Sequence, residues 1–168
     1  MHEPVKEPES RASIRFQDCD AFGHLNNARF LDFFINARED HLAQAYGFSL
    51  HGMARETGCN WLVTRHQIAY LAPAMLGEQV LIKTGLRRYT DQAALMEGRM
   101  YDAAGSRMKA LLWTEFTYVS LSNGRAAKHP PRILEFLASI LNREESFPDD
   151  FAARERVFAL KAAAAARP

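Results

Sequence analysis

The chain opens on a short alternation. Ala12, Ile14 and Phe16 are apolar, and Ser13, Arg15 and Gln17 between and after them are polar. A period of two predicts a half-buried strand. The pattern breaks over residues 18–23, and a different periodicity begins. Phe30, Leu31, Phe33, Phe34, Ile35, Ala37, Leu42 and Ala45 cover most of a helical wheel, while Asp32, Asn36, Glu39 and Asp40 leave a narrow polar stripe. This predicts a helix that runs to about Tyr46 and is enclosed on most sides. Asn26 or Asn27 can cap its start by accepting from an N–H that the helix leaves without a partner. Gly47 can end it. Residues 51–58 read as a short helix or a loop.

From Cys59 onward the pattern is that of strands. Cys59–Leu71 is a long one, stopped by Pro73. Glu78–Arg88 is next, with Val80, Ile82 and Thr84 on one side. Gln92–Tyr101 follows a turn at Thr90 and Asp91. Residues 102–106 form a hairpin turn in which Gly105 is available for positive φ. Arg107–Ser120 is the last, rich in Leu, Trp, Thr, Phe, Tyr and Val. Short links predict that consecutive strands pair antiparallel. One face of such a sheet needs a cover, and the early helix is the natural one. Pro131 then starts an amphipathic helix reaching Arg143, with Ile133, Phe136, Leu137, Ile140 and Leu141 apolar. A further helix starts at Asp149 and Asp150 and runs into the alanines 162–166, a tail that either frays or lies on a partner subunit. The class is α+β. The expected division is a disordered lead over 1–10, a sheet-and-helix domain over 11–128, and a helical extension of that domain over 129–168.

Composition narrows the possibilities. At 168 residues the chain suits one domain with a substantial core. A net charge of +1 gives no reason to expect nucleic acid or an acidic membrane as partner. The polar N-terminal stretch lacks a signal-peptide core, and no apolar run approaches the roughly 20 residues of a membrane span. Cys19 and Cys59 are the two cysteines, with neither a disulfide framework nor metal-ligand spacing. A reduced, cytoplasmic protein is the simplest reading.

Chemistry concentrates at the hand-over from first strand to helix. Asp18-Cys19-Asp20, then Gly23-His24-Leu25-Asn26-Asn27, then Phe30 and Arg38, resemble the hotdog-fold acyl-CoA thioesterases of the 4-hydroxybenzoyl-CoA thioesterase-like and YbgC-like branch. The resemblance runs over Ser13–Ser120. It implies an antiparallel sheet wrapped around a long central helix, and hydrolysis of a thioester to free acid and thiol. It also implies Asp20 as the catalytic carboxylate, and a dimer, often doubled to a tetramer, with active sites between subunits. Some relatives carry the carboxylate on the central helix instead. The His24-Leu25-Asn26-Asn27 run is also similar to acyl-carrier-protein thioesterases, so the carrier is coenzyme A or acyl carrier protein. Coenzyme A enters only as part of the substrate, and no metal or redox cofactor is implied.

Each residue then has two readings. Asp20 attacks the carbonyl or draws a proton from water; equally, it is a turn residue bonding its own backbone. Backbone N–H groups near Gly23, His24 or Leu25 offer an oxyanion site at the helix entrance; Gly23 is otherwise a plain turn glycine. His24 holds water, touches the thioester or orients Asp20, or is structural. Asn27 contacts water or the carbonyl, or caps the helix. Asp18 reads as structural. Cys19 is disfavoured as a nucleophile because two flanking carboxylates oppose its thiolate. Arg65, Arg87, Arg88, Arg125 and Lys128 are candidates for coenzyme A phosphates, against a reading as solvated surface charge. Phe22, Leu25, Phe30, Phe34 and Trp61 are candidates for the acyl pocket, against a reading as core. Two alternatives to hydrolysis remain open: a non-catalytic acyl-thioester binder, and a hotdog hydratase or dehydratase.

Overall fold

The computed structural model describes residues 4–144 and 147–165. In order these are β1 (Glu9–Ser13), α1 (Asn27–Tyr46), α2 (Leu50–Thr57), β2 (Cys59–Tyr70), β3 (Gln79–Tyr89), β4 (Ala93–Asp102), β5 (Met108–Ser120), α3 (Pro131–Ile140) and α4 (Phe151–Ala165). The strands form one antiparallel sheet in the order β1-β3-β4-β5-β2. A long helix wrapped by such a sheet is the hotdog arrangement that the motif implied.

Three expectations about the lead and the strands are corrected. The lead over 1–10 is not disordered where it is described. Glu9 and Ser10 pair with Lys83 and Ile82, Pro8 accepts from the Thr84 N–H at 3.2 Å, and Glu7 forms ion pairs with Arg87 and Arg99. Residues 1–3 of that lead, and 166–168 of the tail, lie outside the described residues. The strand predicted to reach Gln17 stops at Ser13, because the Asp18 carboxylate accepts the Arg15 N–H at 3.1 Å and rolls residues 16–18 into a single 3-10 turn. Phe16 is thereby left 84% exposed. Consecutive pairing also fails once: β2 pairs with β5, not β3. The link 71–78 crosses between them and is held by Leu25 N–H on Ala74 O (2.8 Å) and Leu76 N–H on Gly23 O (2.9 Å). This crossing brings the link against the start of α1.

α1 is capped by Asn26, whose side chain accepts the Ala28 N–H at 3.0 Å, and ended by Gly47 at φ 61°. Phe30, Phe34, Ala37 and His41 recur at helical spacing and are buried. Phe30, Phe34 and Ala37 cluster with Val80, Ile82, Met100, Ala110 and Leu112, and His41 meets Thr84. Phe34 is 0% exposed and lies over Gly98, where a Cβ would meet its ring at 2.6 Å. The other side of α1 is open: Ile35, Asn36, Glu39, Asp40 and Ala43 are exposed. The predicted enclosure is therefore not met within one chain.

The far face of the sheet is covered by α4. Its Arg154 is 1% exposed and bonds both oxygens of Glu97, at 2.8 and 2.9 Å. Arg87 (2.8 Å) and the Trp113 indole N–H (2.9 Å) also bond Glu97. Among the described residues no helix is long and apolar enough to cross a membrane.

Candidate active site

The site is built on a tight loop between β1 and α1. Gly23 at φ 74° allows the reversal. Asp20 N–H donates to His24 O at 2.8 Å, and Gly23 N–H to Asp20 O at 3.1 Å. Cys19 and Leu25 then face each other in a single antiparallel bridge. Asp18 points inward, buried, with Arg29 on its Oδ1 at 3.0 Å. Asp20 points outward. Its Oδ1 accepts the N–H of Phe22 at 2.9 Å and of His24 at 3.2 Å. Among the described residues no donor meets its Oδ2. The turn-residue reading and the chemical reading of Asp20 thus apply to different oxygens.

Asp20, His24, Leu25, Asn27 and Phe30 line one cleft of about 280 Å³ with Tyr70 and the link residues 71–73. Leu25 and Phe30 are each 2% exposed and form its apolar floor. Tyr70 donates its hydroxyl to Asn27 O at 2.9 Å and sets its ring edge-on to Phe30 at 5.2 Å. Asp20 also borders a second recess of about 490 Å³ with Phe16, Gln17, Cys19, Ala21, Gly23 and Leu76.

The expected oxyanion donors are corrected. The N–H groups of Gly23, His24 and Leu25 are all taken, by Asp20 O, Asp20 Oδ1 and Ala74 O. Loop closure consumes them. Asn26 N–H is also used, on Asp18 O at 2.9 Å. Among the described residues, Asn27 N–H meets no acceptor. It is the first N–H of α1, where the helix's partial positive charge is concentrated.

Other candidates lie elsewhere. Phe34 belongs to the core and not to the cleft. Phe22 is 82% exposed at the loop tip, with its ring 6.5 Å from that of His24. Trp61 donates to His129 Nε2 at 2.9 Å, at the other end of the sheet. Arg87 is not a free surface cation: its side chain is 3% exposed and held by Glu7 and Glu97. Arg65 pairs with Glu115 (3.4 Å), Arg88 with Asp149 (3.2 Å) and Lys128 with Asp91 (3.3 Å), all partly or fully in solvent. Arg125 is exposed, its N–H on Asn123 Oδ1. None of these five cations lines the cleft. Burial raises the Cys19 thiol above its usual range, and Asp18 and Asp20 add to this. Its Sγ–H donates to Arg15 O at 3.4 Å. Sequence reasoning missed Tyr70 and the link 71–73. A tyrosine ending a strand just before Pro73 was the available signal.

A family model described as the thioesterase-like superfamily matches residues 14–137. No match to a curated protein was found. Among solved structures, the chain is similar to a 1,4-dihydroxy-2-naphthoyl-CoA thioesterase from Synechocystis (TM-score 0.70, 17% identity, 80% of this chain and 95% of that one). It is also similar to a DHNA-CoA thioesterase from Staphylococcus aureus (0.67, 20%, 92% and 93%). A third is a 12:0-ACP thioesterase from Umbellularia californica (0.76, 11%, 86% and 54%). At these identities the likeness speaks for the fold.

Proposed function

Because the chain belongs to the thioesterase-like superfamily, we propose that it hydrolyses acyl thioesters, with Asp20 as the reacting carboxylate and Asn27 N–H as the oxyanion donor. The observation that carries this reading is the unequal setting of the two Asp20 oxygens. Two N–H groups hold Oδ1, so the carboxylate is oriented, while Oδ2 is left unbonded beside an apolar-floored cleft. In one route Oδ2 attacks the carbonyl carbon, the C–S bond breaks, and the thiolate leaves a mixed anhydride that water opens. In the other, Oδ2 takes a proton from water as the water attacks. Both routes put negative charge on the carbonyl oxygen, and a helix-start N–H favours that charge. The thiolate is a good leaving group and needs little acid assistance.

The acyl group would rest on Leu25 and Phe30, against Tyr70. The carrier is coenzyme A or acyl carrier protein. Arg65, Arg88, Arg125 and Lys128 would reach its phosphates only from outside the cleft. Self-association through the edge strand β2 is part of the same reading, supported by Leu62 at 57% and Val63 at 39% exposure on that edge. The test is thiol release from panels of acyl-CoA and acyl-carrier-protein thioesters. Asp20→Asn keeps the Oδ1 contacts and should lower turnover by about 10²–10⁴-fold with thermal stability unchanged. Equal turnover in wild type and variant would remove Asp20 from the reaction.

A further inference from the structure

A further, half-open space lies along α1, and nothing in the proposed hydrolysis uses it. It is a cavity of about 70 Å³ between the second half of α1, the inner face of the sheet, and α3. At a water's share of about 30 Å³ in the liquid this is room for about two waters. Its walls are mainly apolar: Leu42, Leu86, Met96, Phe136, Leu137 and Ile140. α3 is its lid, tied just past its end to β3 by Asn142 N–H on Leu86 O at 2.9 Å, and to the connection between α1 and α2 by Phe136 stacked on Phe48 at 4.5 Å.

Arg38, His41, Thr84 and Tyr46 break the apolar lining, and the Tyr46 hydroxyl is already taken by Val5 O at 2.7 Å. Arg38 lies with its guanidinium carbon 4.3 Å from the centroid of the Phe116 ring. Among the described residues no oxygen accepts a hydrogen bond from it. Burial pushes its guanidinium down to about 10, and Glu39 only partly offsets this. Arg38 is half-buried, and the ring face offsets only part of the cost of withdrawing its charge from water. His41, one turn along the same face, is 3% exposed. Its Nδ1 shares a 2.7 Å hydrogen bond with Thr84 Oγ1, and its buried Nε2 has no partner.

We propose that this cavity binds a small monocarboxylate, with the carboxylate on Arg38 and His41 Nε2–H and the apolar body against α3. A carboxylate supplies two acceptors in the plane that a guanidinium matches. With the Thr84 hydroxyl donating to Nδ1, the imidazole carries its proton on Nε2 and donates to the ligand. One cation, one neutral donor and apolar walls suit a monoanion with a short hydrocarbon body. The hydrolysis proposed above would release an acid of this class, yet the cavity stands apart from Asp20 and its occupancy does not depend on that reading.

Isothermal titration of the full chain with propanoate, and with propanamide as its neutral counterpart, tests this. Propanoate should bind, and propanamide at least tenfold more weakly. Arg38→Met removes the cation, and Ala94→Leu fills the cavity with Arg38 intact. Each should weaken propanoate at least tenfold in protein whose melting confirms it is folded. Asp20→Asn should leave binding unchanged. Propanamide binding as tightly as propanoate would overturn the proposal, as would absence of propanoate binding to wild type. So would weakening by Asp20→Asn with Arg38→Met unaffected, which would put the acid in the Asp20 cleft.

Discussion

Asn27→Pro isolates a single backbone N–H. Asn27 is the first residue of α1, the one helical position where proline is favoured, since its missing N–H has no helical acceptor there. Proline also demands an extended residue before it, and Asn26 already sits at φ −58°, ψ 136°. The Asn26 cap on Ala28 and the Tyr70 bond to Asn27 O both survive, because neither uses the Asn27 N–H or side chain. Stability should therefore change by less than about 1 kcal/mol. If this N–H steadies the developing oxyanion, its loss should cost about 3 kcal/mol of barrier, roughly 10²-fold or more in kcat. Asn27→Ala is the control, since it removes the same side chain and keeps the N–H. Thiol-release kinetics on both variants separate the two contributions. The expected pattern is Asn27→Ala within about threefold of wild type and Asn27→Pro at least 10²-fold lower in kcat. Equal rates for the proline and alanine variants would refute the oxyanion assignment.

Three further outcomes follow from the packing. Gly98→Ala places a methyl 2.6 Å from the Phe34 ring and should destabilise by about 1–3 kcal/mol; Phe34→Leu in the same chain should recover part of that loss in urea denaturation, and additive losses would contradict the close fit. Arg154→Met leaves Glu97, with a side chain 0% exposed, to Arg87, the Trp113 indole and the edge contact of Arg99, and should cost about 3–5 kcal/mol by denaturant unfolding. Acid should also destabilise the chain. Burial lowers His41, His66 and His129 in the folded state, with Asp40 and Glu9 opposing it at His41, and Thr90 O and Asp91 at His129. The unfolded chain therefore binds protons first as pH falls through the ordinary value of about 6.5, so stability should be full above that value and drop below it. A melting temperature constant from pH 7.5 to about 5.5 would contradict those shifts.

The helix and the four long strands were legible because they rest on local signals. Asn26, Gly47, Pro73 and Gly105 each mark a boundary through backbone chemistry. The misses are long-range. Nothing local tells β2 to reach across to β5, since that pairing depends on how the link 71–78 fastens onto Gly23 and Leu25. Arg87 read as a surface cation because its partners, Glu7, Glu97 and the ions around Arg154, come from distant segments. α4 itself hides its role: an Ala-, Arg- and Glu-rich stretch looks solvated, and one buried arginine carries the docking. Among the site residues, the motif singled out a loop whose Asp20, His24, Leu25 and Asn27 line one cleft. It did not reveal that closing the loop consumes the N–H groups of Gly23, His24, Leu25 and Asn26 and leaves that of Asn27 without an acceptor among the described residues. Nor did helical spacing separate Phe30, at the cleft, from Phe34, one turn on and wholly in the core.

That one-turn difference has a consequence for what the cleft can hold. Asn27 and Arg38 stand about 16 Å apart along α1 at the standard rise per residue. Phe34 lies between them, its ring seated over Gly98 with no space for even a methyl group. A ligand spanning both ends would have to displace that ring, at a cost comparable to deleting a buried phenylalanine, about 3–5 kcal/mol. On the proposed reading, an acyl chain entering at Asp20 meets a wall at Phe34 while that ring stays seated, and a ligand at Arg38 would have to enter from elsewhere.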